Sequence, residues 1–324
     1  MNYRSLGRTG IVVSEIGFGG WGIGGRTVGE TSYGDTDDSI SLAAIRRAFD
    51  RGITLFDTSA AYGNGHSEEL IGQALKDVRG KVVLATKAGY EGWDRAPDFS
   101  PTAVVASVER SLRRFGTDYI DLLQLHNPPP EALKAPALGE ALAGLVKGGK
   151  LRAWGVSAKG PQDAIEALDV CDAMMVQANF NMMDVRALTG GLLDEVSRRG
   201  AGFISRTPLN FGFLSGMIGH AAKFPPGDHR QRWSQAQLAA WVDGAAMLLE
   251  AVGASPGEQA VQSALRFCLS FPAVSSTIPG ISTPAEADQN AAASQFGALA
   301  SEQVAAVLEI NRRRSFFVSE SQRA

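Results

Sequence analysis

An acid, a phenol, an amine and an imidazole stand near the ends of three neighbouring apolar runs in this chain. Asp57 ends Leu55-Phe56-Asp57 and Tyr62 follows it, Lys87 ends Ala85-Thr86-Lys87, and His126 ends Leu123-Gln124-Leu125-His126. Taken singly, each has a plain structural role: a loop cap, a half-buried aromatic with a wet hydroxyl, a solvated strand end and a satisfied core histidine. Together they can do chemistry. A phenol has an unperturbed pKa of about 10, so it is a poor acid at neutral pH unless a neighbouring cation stabilises its anion. Lys87 can supply that cation. An unpaired ammonium inside a core is costly, and Asp57 is the counter-ion within reach. His126, one of four histidines, can hydrogen-bond a carbonyl or tune the phenol. A proton donor beside a carbonyl site fits carbonyl reduction, which also needs a hydride that no side chain provides. A nicotinamide cofactor, NAD(H) or NADP(H), is implied.

These groups need a scaffold that brings strand ends together. Short apolar or β-branched runs alternate with segments of helical period, the pattern of repeated βα units. The predicted strands are Ser14 to Gly19, Thr54 to Asp57, Val82 to Thr86, Ile120 to Leu125, Ala153 to Val156, Ala173 to Gln177, Gly202 to Ser205 and Ser275 to Ile278. That is the number a closed (β/α)8 TIM barrel requires, and in such barrels the reacting groups come from the C-terminal strand ends. Caps and stops delimit the helices between them. Asp37 or Asp38 opens one that Gly52 ends, Ser67 opens the next, and Pro101 to Arg114 stops at Gly116. Others are predicted over Ala137 to Val146, Pro161 to Leu168, Val185 to Arg198, Glu258 to Leu269 and Pro284 to Ala293. Tyr3 to Leu6 and Ile11 to Val13 flank Gly7 and Gly10, which predicts an N-terminal β-hairpin closing the barrel floor. Phe211 to Val252 exceeds what a βα connection needs, so a substrate loop to Arg232 and an extra helix, Gln235 to Glu250, are expected at the C-terminal face.

Composition narrows the field. With 324 residues, 44% hydrophobic and 20% charged, the chain can bury a large core and is read as one domain over 1–324. Lys plus Arg number 31 against 34 Asp plus Glu, so no positive field recruits nucleic acid or an anionic membrane. Arg46-Arg47, Arg113-Arg114 and Arg198-Arg199 each precede a glycine and read as helix C-termini, where cations favour the negative end of the dipole. Cys171 and Cys268 are too few for a disulfide scaffold or a zinc cluster, and no His/Asp/Glu cluster has metal spacing. Met1 to Gly10 lacks an apolar leader and no apolar run could span a bilayer, so a cytoplasmic location is expected.

Several stretches resemble the aldo-keto reductases: Phe56-Asp57-Thr58-Ser59-Ala60-Ala61-Tyr62-Gly63, Ser67-Glu68-Glu69-Leu70-Ile71-Gly72, Ala85-Thr86-Lys87, Asp118 to His126 and Trp154-Gly155-Val156-Ser157. They occur in the family's order and spacing and cover nearly the whole chain. The resemblance implies the barrel, NAD(P)H dependence, and a tetrad of Asp57, Tyr62, Lys87 and His126 with Tyr62 as proton donor. The substrate implied is an aldehyde, ketone or sugar carbonyl, or the alcohol in reverse. It also implies that Gly20 and Trp21 touch the cofactor or wall the substrate pocket, and that Ser157 and Gln177 bind the nicotinamide carboxamide. Two positions depart from the pattern. Ala158 replaces a common asparagine, and Arg206 replaces a tyrosine that stacks on the ring, a task a planar guanidinium can also perform.

By the same resemblance, the diphosphate and adenosine run along Thr207, Leu209, Gly212, Leu214 and Gly216 and along Ile278, Gly280 and Ser282, with Gln289 and Asn290 at the adenine. NADP-specific relatives place basic residues near here, whereas this chain has Gly280 and Glu286. A carboxylate near the adenosine ribose disfavours a 2′-phosphate, which shifts the expectation toward NADH. Trp21, Tyr62, Trp93 and His126, with Phe99 and the Phe211 to Arg232 loop, are expected to shape the substrate pocket. A second reading is a cofactor-binding regulatory or channel-associated subunit, since the family contains those too. Oligomeric state is open, and the tail Asn311 to Ala324 either covers the pocket or moves freely.

Overall fold

The computed structural model describes residues 1–29 and 31–318. It begins with an antiparallel hairpin, β1 (Tyr3–Ser5) and β2 (Val12–Ser14). Eight parallel strands follow: β3 (Phe18–Gly19), β4 (Leu55–Asp57), β5 (Val83–Ala88), β6 (Ile120–His126), β7 (Leu151–Ser157), β8 (Met175–Asn179), β9 (Gly202–Arg206) and β10 (Ser276–Ile278). Each pairs with its neighbours in sequence order, and the last meets the first. Gly17 N donates to Thr277 O and Gly19 N to Pro279 O, both at 2.9 Å, and Thr277 N returns a bond to Glu15 O at 2.9 Å. The sheet is a (β/α)8 barrel, as predicted.

The helices are α1 (Asp38–Asp50), α2 (His66–Leu75), α3 (Pro101–Phe115), α4 (Pro130–Leu133), α5 (Pro136–Lys147) and α6 (Pro161–Val170). There follow α7 (Arg186–Thr189), α8 (Leu192–Arg199), α9 (Gln235–Val252), α10 (Glu258–Leu269), α11 (Pro284–Ala292) and α12 (Ser301–Arg313). Local chemistry sets their ends. Ser100 Oγ accepts from Ala103 N at the start of α3, Pro101 occupies its first turn, and Gly116 ends it at φ 64° beside Arg113 and Arg114. Its face of Val104, Val108, Leu112 and Phe115 is buried.

Several elements differ from expectation: the first barrel strand, expected over Ser14 to Gly19, is only Phe18–Gly19, with Ser14 ending β2, and the short helix α4 was not expected. The single helix expected over Val185 to Arg198 is two, because Gly190-Gly191 interrupts it and Gly191 takes a left-handed conformation at φ 79°. Helix α12 was not expected, although Val304, Val307 and Leu308 recur at helical spacing, because it follows the eighth βα unit, where the barrel repeat calls for no further helix. Beyond it, Phe316 packs to 1% exposure with its carbonyl bonded to Gln237 Nε2 at 2.8 Å, so residues 314–318 lie against α9. Residues 319–324 of the tail fall outside the described residues.

Strand alternation sorts the barrel interior by height. Inward positions near the strand starts are apolar, Leu55, Val83, Ala85, Leu122, Ala153, Met175 and Ile204, and Leu6, Ile11 and Val13 of the hairpin segment seal them from below. Two residues further along β4, β5, β6, β8 and β9, the same face carries Asp57, Lys87, Gln124 and then His126, Gln177 and Arg206. The period of two therefore delivers a polar layer to the C-terminal rim. No helix of the described residues is long and apolar enough to cross a membrane, and none of them forms a cluster able to hold a metal ion.

Candidate active site

Asp57 is the hub of the polar layer. Its Oδ1 receives a hydrogen bond and a salt bridge from Lys87 Nζ, and its Oδ2 accepts from Gln124 Nε2 at 2.7 Å and Gln177 Nε2 at 2.9 Å. Lys87 Nζ also donates to Thr58 O at 2.8 Å and lies 5.0 Å from the centre of the Tyr62 ring. Asp57, Lys87 and His126 are all buried, at 2%, 1% and 3% exposure. Burial by itself would lower the Lys87 pKa. The charges and hydrogen bonds of Asp57 and Tyr62 outweigh that and hold it above its ordinary value. The amine is a cation.

Tyr62 enters from the loop after β4. Its place depends on Gly63, which sits at φ 63° so close to the preceding loop that a Cβ there would meet Gly24 O at 2.0 Å. Gly20 N donates to Asp57 O at 2.8 Å, and Ser67 Oγ donates to Gly20 O at 2.8 Å, which ties the first loop to the second. His126 ends β6 with its ring edge toward Tyr62, Tyr90 and Trp93, at centroid distances of 6.2, 5.4 and 5.7 Å. Burial, and then the Lys87 and Arg206 cations, hold its pKa well below that of a free histidine. At neutral pH the imidazole is uncharged.

A cleft of about 550 Å³ runs from these residues toward the start of α11. Asp57, Tyr62 and His126 line it, while Lys87 stands behind Asp57 and Tyr62. Gly20, Trp21, Trp93, Gln177, Arg206, Thr207, Leu209, Gly212, Ile278, Gly280, Ser282 and Glu286 also reach its wall. Ser157 does not; it sits beneath, 3.2 Å from Gln177 Oε1. Leu214 is fully buried, and Gly216 faces Leu249 and Pro256. Gln289 and Asn290 stand on α11 beyond the wall, with Asn290 Nδ2 3.5 Å from Gly280 O. Phe99 packs behind Tyr90.

Sequence reasoning missed the wall residues Tyr33, Asn127 and Asn179, while Phe211 and Arg230 lie on the wall as expected of their loop. Phe211 and Arg230 belong to the long loop whose length was the signal. Tyr33 lies in an aperiodic stretch that meets that loop only in space. Ser32 pairs with Asp228, and His229 N donates to Ser32 O at 2.8 Å. The His229 ring is enclosed by Trp21, Tyr33, Phe211 and Trp233, and neither of its nitrogens has a partner among the described residues. Arg230 forks onto Asp228 and stacks over Tyr33 and Phe224.

The chain matches the profile of the Aldo/keto reductase family over residues 15–312. It belongs to that family. It is 32% identical over 298 residues to the aldo-keto reductase YhdN of Bacillus subtilis, covering 88% of this chain and 86% of that protein. It is 34% identical over 229 residues to an NADH-specific methylglyoxal reductase of Escherichia coli K12, covering 66% of this chain and 69% of that one. Among solved structures, the holo form of aldo-keto reductase AKR11C1 from Bacillus halodurans superposes with a TM-score of 0.78 at 25% identity, with both chains covered in full. As an aldo-keto reductase, the protein is an NAD(P)H-dependent oxidoreductase that interconverts carbonyls and alcohols. The cleft of this aldo-keto reductase suits a dinucleotide. Its volume falls in the range of cofactor sites, and two guanidinium groups, Arg206 and Arg230, line it.

Proposed function

We propose that this reductase protonates the substrate carbonyl oxygen from Tyr62, with Lys87 steadying the phenolate that results and Asp57 holding Lys87. The observation that carries this reading is the buried Asp57–Lys87 pair directly behind the Tyr62 ring. A cation there favours the charge that develops on the phenol oxygen as its proton leaves, and low polarity strengthens the effect. Neutral His126 orients the carbonyl by donating a hydrogen bond without competing as an acid. The bound nicotinamide supplies the hydride. Trp21, Trp93 and Phe211 wall the carbonyl's substituents and exclude water.

For the cofactor, Arg206, which lines the cleft, would stack on the nicotinamide. Gln177 spends its amide protons on Asp57 and Gln124, so it offers the carboxamide only the free lone pair of Oε1. Thr207, Leu209, Gly212 and Arg230 would meet the diphosphate. At the adenosine end, Glu286 Oε2 accepts from Ser282 N at 2.7 Å and Thr283 N at 3.1 Å. The chain's own carboxylate thus occupies the helix N-terminus that a 2′-phosphate would seek. This supports NAD(H) over NADP(H). A regulatory role without turnover is the weaker reading, because the tetrad is complete.

The test follows NADH and NADPH absorbance separately with a reactive aromatic aldehyde, with Tyr62→Phe as control. Turnover that is lost in the variant and faster with NADH is expected. Tight nucleotide binding without turnover on any carbonyl would overturn the reductase roles, and tighter binding of NADPH would overturn the coenzyme preference.

A further inference from the structure

A neutral imidazole carries one ring proton, and its position decides what His126 offers the cleft. With the proton on Nε2 the ring can donate to a carbonyl oxygen. With the proton on Nδ1 it presents only a lone pair. Nδ1 lies 3.3 Å from the Oγ of Ser59, a residue with no solvent exposure, and Nε2 has no partner among the described residues.

The Ser59 hydroxyl has two neighbours. Ala61 N donates to Oγ at 3.2 Å, which occupies one of its lone pairs, and His126 Nδ1 is the acceptor within reach among the described residues. If Nδ1 carried the proton it would donate to Oγ, and the hydroxyl proton would be buried with nothing to accept it. A buried donor left without a partner disfavours that arrangement on the order of tenfold or more. If Nδ1 is bare, it accepts the Ser59 hydroxyl proton and both atoms of the contact are satisfied, which leaves Nε2–H free to donate into the cleft. Ser59 sits in the turn between β4 and Tyr62, so the loop that delivers the phenol also delivers this hydroxyl.

We propose that Ser59 is a positioning residue that fixes His126 as the Nε2–H tautomer, so that the ring presents a donor to the substrate oxygen beside Tyr62. The proposal rests on the carbonyl-reductase reading of the site and adds the element that keeps the imidazole in its donating form. It requires no contact between Ser59 and substrate.

The experiment is ring-nitrogen NMR of the full-length protein labelled with ¹⁵N-histidine, with and without NADH. The chain has four histidines, His66, His126, His220 and His229, and the His126→Gln variant assigns the relevant pair of signals. At neutral pH, His126 should show a protonated Nε2 and an unprotonated Nδ1. Ser59→Ala should move both signals toward a tautomer mixture and lower kcat by about tenfold, with KM for NADH unchanged. Ser59→Thr, which keeps the hydroxyl, should restore both. A protonated Nδ1 in the parent overturns the proposal without any variant, and so do Ser59→Ala signals and kcat identical to the parent. Because the tautomer is read without substrate, a failure of the reductase reading would appear separately, as missing turnover in the parent.

Discussion

Lys87 Nζ stands 5.0 Å from the centre of the Tyr62 ring, buried and bonded to Asp57. The two side chains come from different βα units, and only the barrel brings amine and phenol together. Removing the phenol proton alone should therefore separate chemistry from binding. Tyr62→Phe keeps the ring's shape and should lower kcat by roughly 10²–10⁴-fold, the range of general-acid catalysis. Binding of NADH, followed by quenching of protein fluorescence, should stay within about twofold. Unchanged turnover would remove Tyr62 from the role of proton donor.

Lys87→Met should cost both activity and stability. Asp57 would keep its bonds to Gln124 and Gln177 but lose its cation, and breaking a buried pair from one side costs about 3–5 kcal/mol. Urea unfolding measures that loss. The variant's pH–rate profile should also differ from the parent's; identical profiles would mean that the amine does not act on the phenol.

Glu286→Gln should relax coenzyme choice. The neutral amide can still accept from Ser282 N and Thr283 N but no longer repels a 2′-phosphate. The ratio of NADPH to NADH affinity should rise by about tenfold, equivalent to ~1.4 kcal/mol. A ratio that does not move would show that the carboxylate faces away from the ribose.

Gly63→Ala tests the seat of the phenol. A Cβ at this position would press on Gly24 O, and the residue's φ of 63° is costly for alanine. The strain, of order 1–3 kcal/mol, should be relieved by shifting Tyr62. A large fall in kcat with a modest change in melting temperature is the expected pattern, and parent-like kinetics would show that the loop adapts.

Acid should weaken the fold through His229. Burial depresses its pKa to about 4, against the partial pull of Asp228, whereas in the unfolded chain a histidine titrates at about 6.5. Between those values the unfolded chain binds a proton that the folded one does not, so stability falls as the pH drops, by about 2 kcal/mol at pH ~5. His126, also depressed, acts in the same direction. His229→Phe, an apolar ring in the same aromatic enclosure, should remove that share of the acid sensitivity. Parent and variant losing stability in parallel from pH ~7 to ~5 would refute it.

Much of this protein was legible in its sequence because the signals are local. The strand runs, the Ser100–Pro101 start and Gly116 stop of α3, and the placement of Asp57, Lys87 and His126 at strand ends follow from side-chain period and cap chemistry within a few residues. Helix α12 escaped because it lies beyond the eighth βα unit, outside the barrel repeat, and the Val185 to Arg198 helix was overextended because helical period continues across a glycine pair that breaks the backbone. What the tertiary structure alone decided are the meetings between distant segments. Gln124 and Gln177, 67 and 120 residues from Asp57, converge on one of its oxygens. Ser59 reaches His126 across 67 residues, and Tyr33 meets Arg230 over the cleft. Sequence spacing cannot encode these contacts, because they depend on strand register and on closure of the barrel, which place a side chain to within a hydrogen bond's length only once every strand has found its neighbour.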